Sequence, residues 1–314
     1  GPALAVVILY VRRTLPESPR WLLTHGHVAE AEQDTAAIER EVARDTGKPL
    51  PPVDDSQAIQ IQPAKFTGYL TLLRLVFSSY WRRAVLGATL MITQSFLYNA
   101  IFFTYVLVLT RFYGVSASRA PVYLIAFAVG NLAGPLVLGR LYDTVGRKPM
   151  ISGTYLASGA LLLVSGYLFD QGLLNPLTQT IAWCVIFFFA SAGASAAYLT
   201  VSETFPVEIR AEAIAVFFAI AQVFGAVGPV LFGALIGAGN DPSRLFIGYA
   251  IGGAMMIVGG IVELLLGVPA ERRQLEQVAR PLTAVTTAQV PRATLPKANY
   301  SPSSKPAGPS SSGA

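Results

Sequence analysis

GRLYDTVGRKPM, residues 139–150, carries Arg140, Asp143, Arg147 and Lys148 between two stretches that hold no charge, 120–139 and 149–169. Charge confined to a short turn between long apolar runs is the pattern of a chain that leaves a hydrocarbon layer, turns in water and re-enters. The pattern repeats along the sequence. Charge-free runs cover 84–110, 120–139, 149–169, 171–202, 213–240 and 245–262, each close to the ~20 residues a helix needs to cross a ~30 Å hydrocarbon core. A membrane barrel would instead show segments of about ten residues alternating in polarity. Long apolar runs in lipid have to satisfy their backbone hydrogen bonds internally, as helices. The expectation is an all-α membrane protein with six spanning helices over about 84–110, 120–139, 149–169, 177–202, 211–237 and 245–266.

Composition agrees. The 314 residues are 53% hydrophobic and only 13% charged, about half the charge of an ordinary soluble domain. The net charge of +5 invites a nucleic-acid reading, but its distribution argues for topology. With 139–148 placed in the cytoplasm, the outer connections hold Arg111, Arg119 and Arg244, and all other basic residues fall inside. That is the positive-inside rule, so the expected partners are a lipid bilayer and a small molecule, with no nucleic acid. Cys184 stands alone in an apolar run, which leaves no disulfide or metal framework; no cofactor is expected. His25 and His27 lie in a polar segment and read as solvated. Small residues in the spans, namely Gly130 with Gly134, Gly225 with Gly228 and Gly233 with Gly237, suit close helix contact.

Outside the spans the chain divides simply. Residues 1–13 are apolar up to Arg12 and Arg13. Eleven helical residues rise only ~16 Å, so this stretch reads as the cytoplasmic end of a helix whose beginning precedes the chain. Residues 14–80 read as a cytoplasmic linker with a helix over 28–45, a Pro-rich stretch over 49–65 and an amphipathic interfacial helix over 66–83. Residues 269–314, rich in Pro, Ser, Thr and Ala, read as a disordered cytoplasmic tail.

Three compact groups of acid and arginine fall on one membrane face: Glu17 with Arg20, then Arg140, Asp143, Arg147 and Lys148, then Glu203, Glu208 and Arg210. Gly139 and Gly146 are expected to make the turn between the two spans at the second group. PESPRWL at 16–22, GRLYDTVGRK at 139–148, ETFPVEIR at 203–210 and, in shortened form, VPAERRQLEQ at 268–277 resemble signatures of the major facilitator superfamily, above all its sugar-porter branch. The resemblance implies the six-helix C-terminal bundle of a twelve-helix fold, preceded by linker helices and missing its N-terminal half. It implies a secondary active transporter working by alternating access in the plasma membrane. The expected cargo is a small polar solute, a sugar or polyol, moved with proton coupling. Glu17, Arg20, Arg140, Asp143, Arg147, Glu203 and Arg210 would form the cytoplasmic gate that latches the two halves, since ion pairs between rigid bundles can favour one arrangement and still break.

A substrate site in such a fold lies near the bilayer midplane, where polar side chains are costly and therefore informative. Gln94 stands ~15 Å into the span that follows Arg83, and Tyr98 lies one turn further on the same face. By the resemblance, Gln94 and Asn99 match the second Gln and the Asn of the sugar porters' QQ…N motif, and Asn131 matches a polar position of the next span. Tyr198 and Gln222 fall where the family often has pocket tryptophans, and Thr93 replaces the first Gln. Amides, hydroxyls and rings without a Lys or Arg in mid-span suit a neutral polyhydroxylated solute. No carboxylate lies at the midplane: Glu203 and Glu263 stand near cytoplasmic ends, so the titrating acid is expected in the other half. Nothing in the sequence pairs a nucleophile with a base, and an enzyme is not expected. The alternatives on the same fold are a transporter of an organic acid or other metabolite, and a non-transporting receptor or sensor.

Overall fold

The computed structural model describes residues 2–14, 17–48, 50, 60–61, 74, 76–237, 239, 241–269, 278–279, 282 and 284–285. Its architecture is helical. α1 (Pro2–Thr14), α2 (Pro19–Thr24) and α3 (Val28–Thr46) come first, and β1 (Gln60–Ile61) follows. The long helices are α4 (Trp81–Tyr113), α5 (Ala120–Thr144), α6 (Arg147–Asp170), α7 (Pro176–Thr204), α8 (Arg210–Gly237) and α9 (Pro242–Leu266). β2 (Ala284–Val285) closes the described chain and pairs antiparallel with β1. All six long helices, α4 to α9, are long and apolar enough to cross a bilayer.

Local chemistry sets their ends. Gly114 caps α4 in the left-handed region at φ 63°, a conformation that L side chains rarely adopt. The Asn175 side chain accepts from the backbone N–H groups of Leu177 and Thr178 and closes a capping box at the start of α7. Asp241 accepts from the Ser243 N–H at 3.0 Å and starts α9. Pro at the first turn of α5, α7 and α9 occupies a position where no backbone donor is lost.

The hairpin at 139–150 is shorter than its charge suggests. α5 continues to Thr144 and α6 starts at Arg147, so only Val145 and Gly146 stand between them. Gly146 makes the turn at φ 116°. Gly139 does not: it lies inside α5, because a helix that has left the hydrocarbon carries Arg140 and Asp143 on further turns as easily as a loop would.

α9 packs on α6, α4 on α8, α5 on α7, and α6 on α7. The main core runs through α4, α6, α7 and α9 with Trp183, Tyr155, Tyr249 and Phe187 fully buried. A smaller cluster, Met91, Val201, Phe205, Ile209 and Phe217, joins α4, α7 and α8 at the hairpin end. The expectation for the small residues divides. A Cβ on Gly130 would come within 2.6 Å of the Cys184 carbonyl oxygen, and one on Gly225 within 2.7 Å of Asn99 Nδ2. Gly233 and Gly237 have nothing within 4 Å of that position, so they make no helix contact here; spacing alone does not say which face of a helix meets a neighbour.

In the polar N-terminal region, α3 is exposed apart from the buried Ala31 and the half-buried Asp34 and Ala43. His25 and His27 are exposed, and the Trp21 ring stacks on the His25 ring at 4.0 Å. Val6 to Val11 of α1 are exposed. Half of the interfacial helix expected over 66–83, the Pro-rich stretch apart from Leu50, Gln60 and Ile61, and residues 286–314 lie outside the described residues. Within the stretch expected as a tail, Val278 and Ala279 are buried.

Candidate functional site

Gln94, Tyr98, Asn99, Asn131, Tyr198 and Gln222 come from four helices, α4, α5, α7 and α8, and line one open cavity of about 470 Å³. Ser95, Ser191, Ser195 and Phe218 complete the polar and aromatic part of the wall, and Ala128, Leu132, Pro135 and Ala194 are its apolar part. No Lys, Arg, His, Asp or Glu is among the lining residues.

The wall is pre-wired. Tyr98 Oη donates to Asn131 Oδ1 at 2.7 Å and ties α4 to α5. Ser95 Oγ donates to Gln222 Oε1 at 3.0 Å and ties α4 to α8. Asn99 Nδ2 donates to the Ser95 carbonyl oxygen at 2.8 Å, a bond within its own helix. Gly225 lies where these α4 groups come closest to α8, and any side chain there would displace Ser95 and Asn99. Gln94 is 5% exposed, and its Oε1 is buried with no hydrogen-bond partner. A buried acceptor left unmatched costs about 1–3 kcal/mol, so this oxygen favours an incoming donor. Tyr98 also meets the Phe187 ring edge-on at 4.7 Å, which holds its hydroxyl in the cavity. The serines at 95, 191 and 195 were not singled out from sequence. A serine in an apolar helix is a common packing residue, and only its facing helix shows that it opens on a cavity.

The charged groups at the hairpin end separate into bonded and free. Arg147 at the start of α6 is paired with Glu203 at the end of α7, and both side chains are mostly buried. This pair joins two helices of the same bundle, not two halves. Arg210 donates to the Phe205 carbonyl oxygen at 3.3 Å, where α7 ends. Arg140 and Asp143 are exposed, and their side chains make no ion pair or hydrogen bond among the described residues. Glu17 stands just before α2 and Arg20 in its first turn; both are exposed, and Arg20 is not without a partner. Arg83, not singled out as a gate residue, donates to the carbonyl oxygens of Thr204 and, at 2.8 Å, of Val278. It therefore holds the chain after α9 against the ends of α4 and α7. Among the described residues there is no cluster of three or more His, Cys, Asp or Glu side chains that could hold a metal ion.

Comparison with known proteins gives this geometry its context. A family profile described as "Sugar (and other) transporter" matches residues 2–280. A protein named for metabolite transport, YdjK of Escherichia coli strain K12, is 27% identical over 253 residues, covering 79% of this chain and 50% of that protein. The glucose facilitated diffusion protein of Zymomonas mobilis is 22% identical over 88% of this chain and 56% of its own length. The niacin transporter NiaP of Acinetobacter baylyi is 22% identical over 87% of this chain and 58% of its length. Among solved structures, the major facilitator proton:xylose symporter XylE, bound to 6-bromo-6-deoxy-D-glucose, superposes with a TM-score of 0.65 at 21% identity, over 87% of this chain and 56% of that one. The chain thus spans about half the length of the relatives it matches. It is an integral, multi-pass membrane protein that belongs to the sugar (and other) transporter family, a family of transporters and not of enzymes, and it has the fold of the major facilitator superfamily.

Proposed function

We propose that this chain is the C-terminal bundle of an alternating-access secondary transporter that moves a small neutral polar solute, a sugar or polyol, with proton coupling. The observation that carries the reading is the cavity wall: amides, hydroxyls and aromatic rings from four helices, with no charged group among them. Such a wall exchanges hydrogen bonds with hydroxyls and lays rings against the apolar faces of a sugar. An inorganic anion would want a desolvated cation instead. Gln94, Tyr98, Asn99, Asn131, Tyr198 and Gln222 are the proposed substrate residues. The relatives named for glucose and xylose support the solute class, and the word proton in the name of one of them supports the coupling.

The cavity is open on one side, and relatives of about twice this length support its completion by a second, N-terminal six-helix half. In this reading residues 14–80 connect the halves, residues 269–314 form a cytoplasmic tail, and the protein works in the plasma membrane. The exposed, unbonded Arg140 and Asp143, with Glu17 and Arg20, would be the gate groups that reach across to the other half. Arg147, Glu203 and Arg210 would keep this half rigid while it rocks.

A second reading keeps the same mechanism with an aromatic metabolite as cargo. The relative named for niacin and the three rings Tyr98, Tyr198 and Phe218 at the cavity favour it. Binding of D-glucose and of nicotinate to the whole transporter, wild type and Gln94→Ala, tests both. A lost hydrogen bond of about 0.5–1.5 kcal/mol should raise the dissociation constant of the true cargo about two- to tenfold. Unchanged affinity for both solutes with a lowered melting temperature would sink the assignment of Gln94 to substrate.

A further inference from the structure

Glu263 stands one turn from the end of α9 and is fully buried, at 0% exposure. Neither of its carboxyl oxygens has a hydrogen-bond partner. Lipid or a second bundle around this one could only add burial. An ionised carboxylate in such a place loses its hydration with nothing in return, and a buried charge is stable only when paired. A neutral carboxyl removes most of that penalty.

The surroundings offer the group a partner. Charged groups at this end of the helices packed on α9 are Arg147 and Lys148 of α6, Arg82 and Arg83 of α4, and Arg210 and Glu212 of α8. Arg147 is occupied by Glu203, Arg83 by two carbonyl oxygens and Arg210 by Phe205. Lys148 is half-buried, and it and Glu263 each stand about one turn beyond the contact of α6 with α9 at which a Cβ on Gly260 would meet the Ser152 carbonyl oxygen at 3.0 Å. Tyr155 of α6 is fully buried, lies 2.9 Å from where a Cβ on Gly259 of α9 would stand, and donates to the Leu90 carbonyl oxygen at 3.1 Å. Ser152, one turn along α6 from Lys148, also has a buried Oγ with no partner.

The cover over the carboxyl is one residue deep. Gly267 donates its N–H to the Glu263 carbonyl oxygen at 2.7 Å. A Cβ on Gly267 would stand 2.5 Å from Glu263 Oε1 and 2.8 Å from Cδ. The absence of a side chain there is what lets the backbone fold down on the acid.

We infer that Glu263 is a proton-binding site of this bundle, neutral in the present conformation and ionised in one where it pairs with Lys148. On protonation the carboxylate takes one proton from water at the hairpin end and Lys148 is released towards solvent. On deprotonation the proton returns to that side and the Glu263–Lys148 ion pair forms. Proton occupancy and the position of the α6–α9 end are thereby linked, and raising the pH favours the paired conformation. The proton enters and leaves on one side, so the site makes the bundle's conformation depend on pH at the hairpin end and carries no proton across the membrane. This rests on the proposal that the chain is a transporter bundle, and it places a titrating group in this half, where the sequence had suggested none.

Two measurements on the whole transporter in phosphatidylcholine vesicles separate the site from the mechanism. The first is the infrared C=O stretch of protonated carboxyl groups, titrated with pH. The wild type should show a band at neutral pH that fades as pH rises and is missing in Glu263→Gln. A Glu263→Gln spectrum identical to the wild type overturns the inference whatever the protein transports. The second is exchange of labelled D-glucose at equal concentrations, measured as a function of pH on the hairpin side. Glu263→Gln should keep the exchange and lose the part of its pH dependence that follows the infrared titration, and Lys148→Ala should shift that titration to higher pH. A pH dependence of exchange unchanged in Glu263→Gln overturns the link between protonation and conformation. If the wild type neither moves nor exchanges D-glucose, the proposed cargo fails, and the infrared band alone decides the proton site.

Discussion

α5 and α6 are joined by two residues and are both apolar, yet they live in different surroundings. In α6 half of the most apolar window is buried inside the bundle; in α5 the share is 11%, although α5 is the more hydrophobic, with a mean hydropathy of 1.8 against 1.4. α8 extends the contrast, with the highest value of the six, 2.2, and only 22% buried. In water such exposed surface would be a liability. Here the two least buried helices, α5 and α8, are both more apolar than the well-buried α4 and α6, because much of what they face is lipid. Apolarity in this molecule reports the solvent, and burial reports the packing. The interfaces themselves rest on small residues: a Cβ on Gly159 of α6 would come within 2.7 Å of the Gly253 carbonyl oxygen of α9, and one on Gly253 within 2.9 Å of that of Gly159.

The sharpest test of this contrast lies in the charged hairpin, where Arg147 is bonded and Arg140 is not. Arg147→Ala leaves Glu203 mostly buried and unpaired, and should lower stability by about 3–5 kcal/mol. Thermal unfolding of the detergent-solubilised protein measures it, and a double-mutant cycle with Glu203→Gln should recover much of the loss. An Arg147→Ala protein as stable as the wild type would mean that the pair does not hold α6 to α7.

Next in size is a glycine exchange. Gly159→Leu forces a side chain between α6 and α9 and should cost about 1–3 kcal/mol or more. The same substitution at Gly233, where nothing stands within 4 Å, should be tolerated. Equal melting temperatures for the two variants would erase the distinction between packed and open helix faces.

Within the cavity a smaller loss is expected. Tyr98→Phe removes the hydrogen bond to Asn131 that joins α4 to α5, worth about 0.5–1.5 kcal/mol. Because Asn131 faces an open cavity, water can replace the lost donor, and the stability change should fall at the low end of that range. A loss as large as that of Arg147→Ala would mark this bond as part of the core.

The smallest effect belongs to Arg140→Ala, a surface change without a partner in this bundle, expected within about 0.5 kcal/mol. Its readout is conformational. In the whole transporter it should alter cysteine labelling from the two sides of the membrane while leaving the melting temperature in place. A drop in stability without a labelling change would assign Arg140 to this bundle rather than to a gate.

Much of this was legible in the residues. GRLYDTVGRK and ETFPVEIR carried the family, and the charge-free runs carried the six helices, because a charge inside hydrocarbon is costly wherever the fold puts it. The depth of Gln94 in its span follows from the rise per residue. Other features were not legible. Gly130 and Gly233 look alike in the sequence, but one meets Cys184 and the other meets nothing. Gly139 looks like a turn residue beside Gly146, yet the helix runs through it. Ser95 reads as packing until Gln222 of α8 is seen across from it. Glu263 reads as an acid at a helix end, where water would reach it, until the backbone of Gly267 is found closing over it.

Sequence by itself determined the solvent each segment requires: hydrocarbon for six helices, water for the charged turns. Those are transfer free energies summed along one stretch of chain, and they do not depend on which helix lies beside which. Tertiary structure alone decided that Arg147 meets Glu203 across 56 residues, that amides from four helices share one cavity, and that a carboxyl near a helix end is sealed from water. Each of these is a pairing between distant segments, set by the rotation and crossing of helices. Side chains several turns apart on different helices carry no signal of that in their order along the chain.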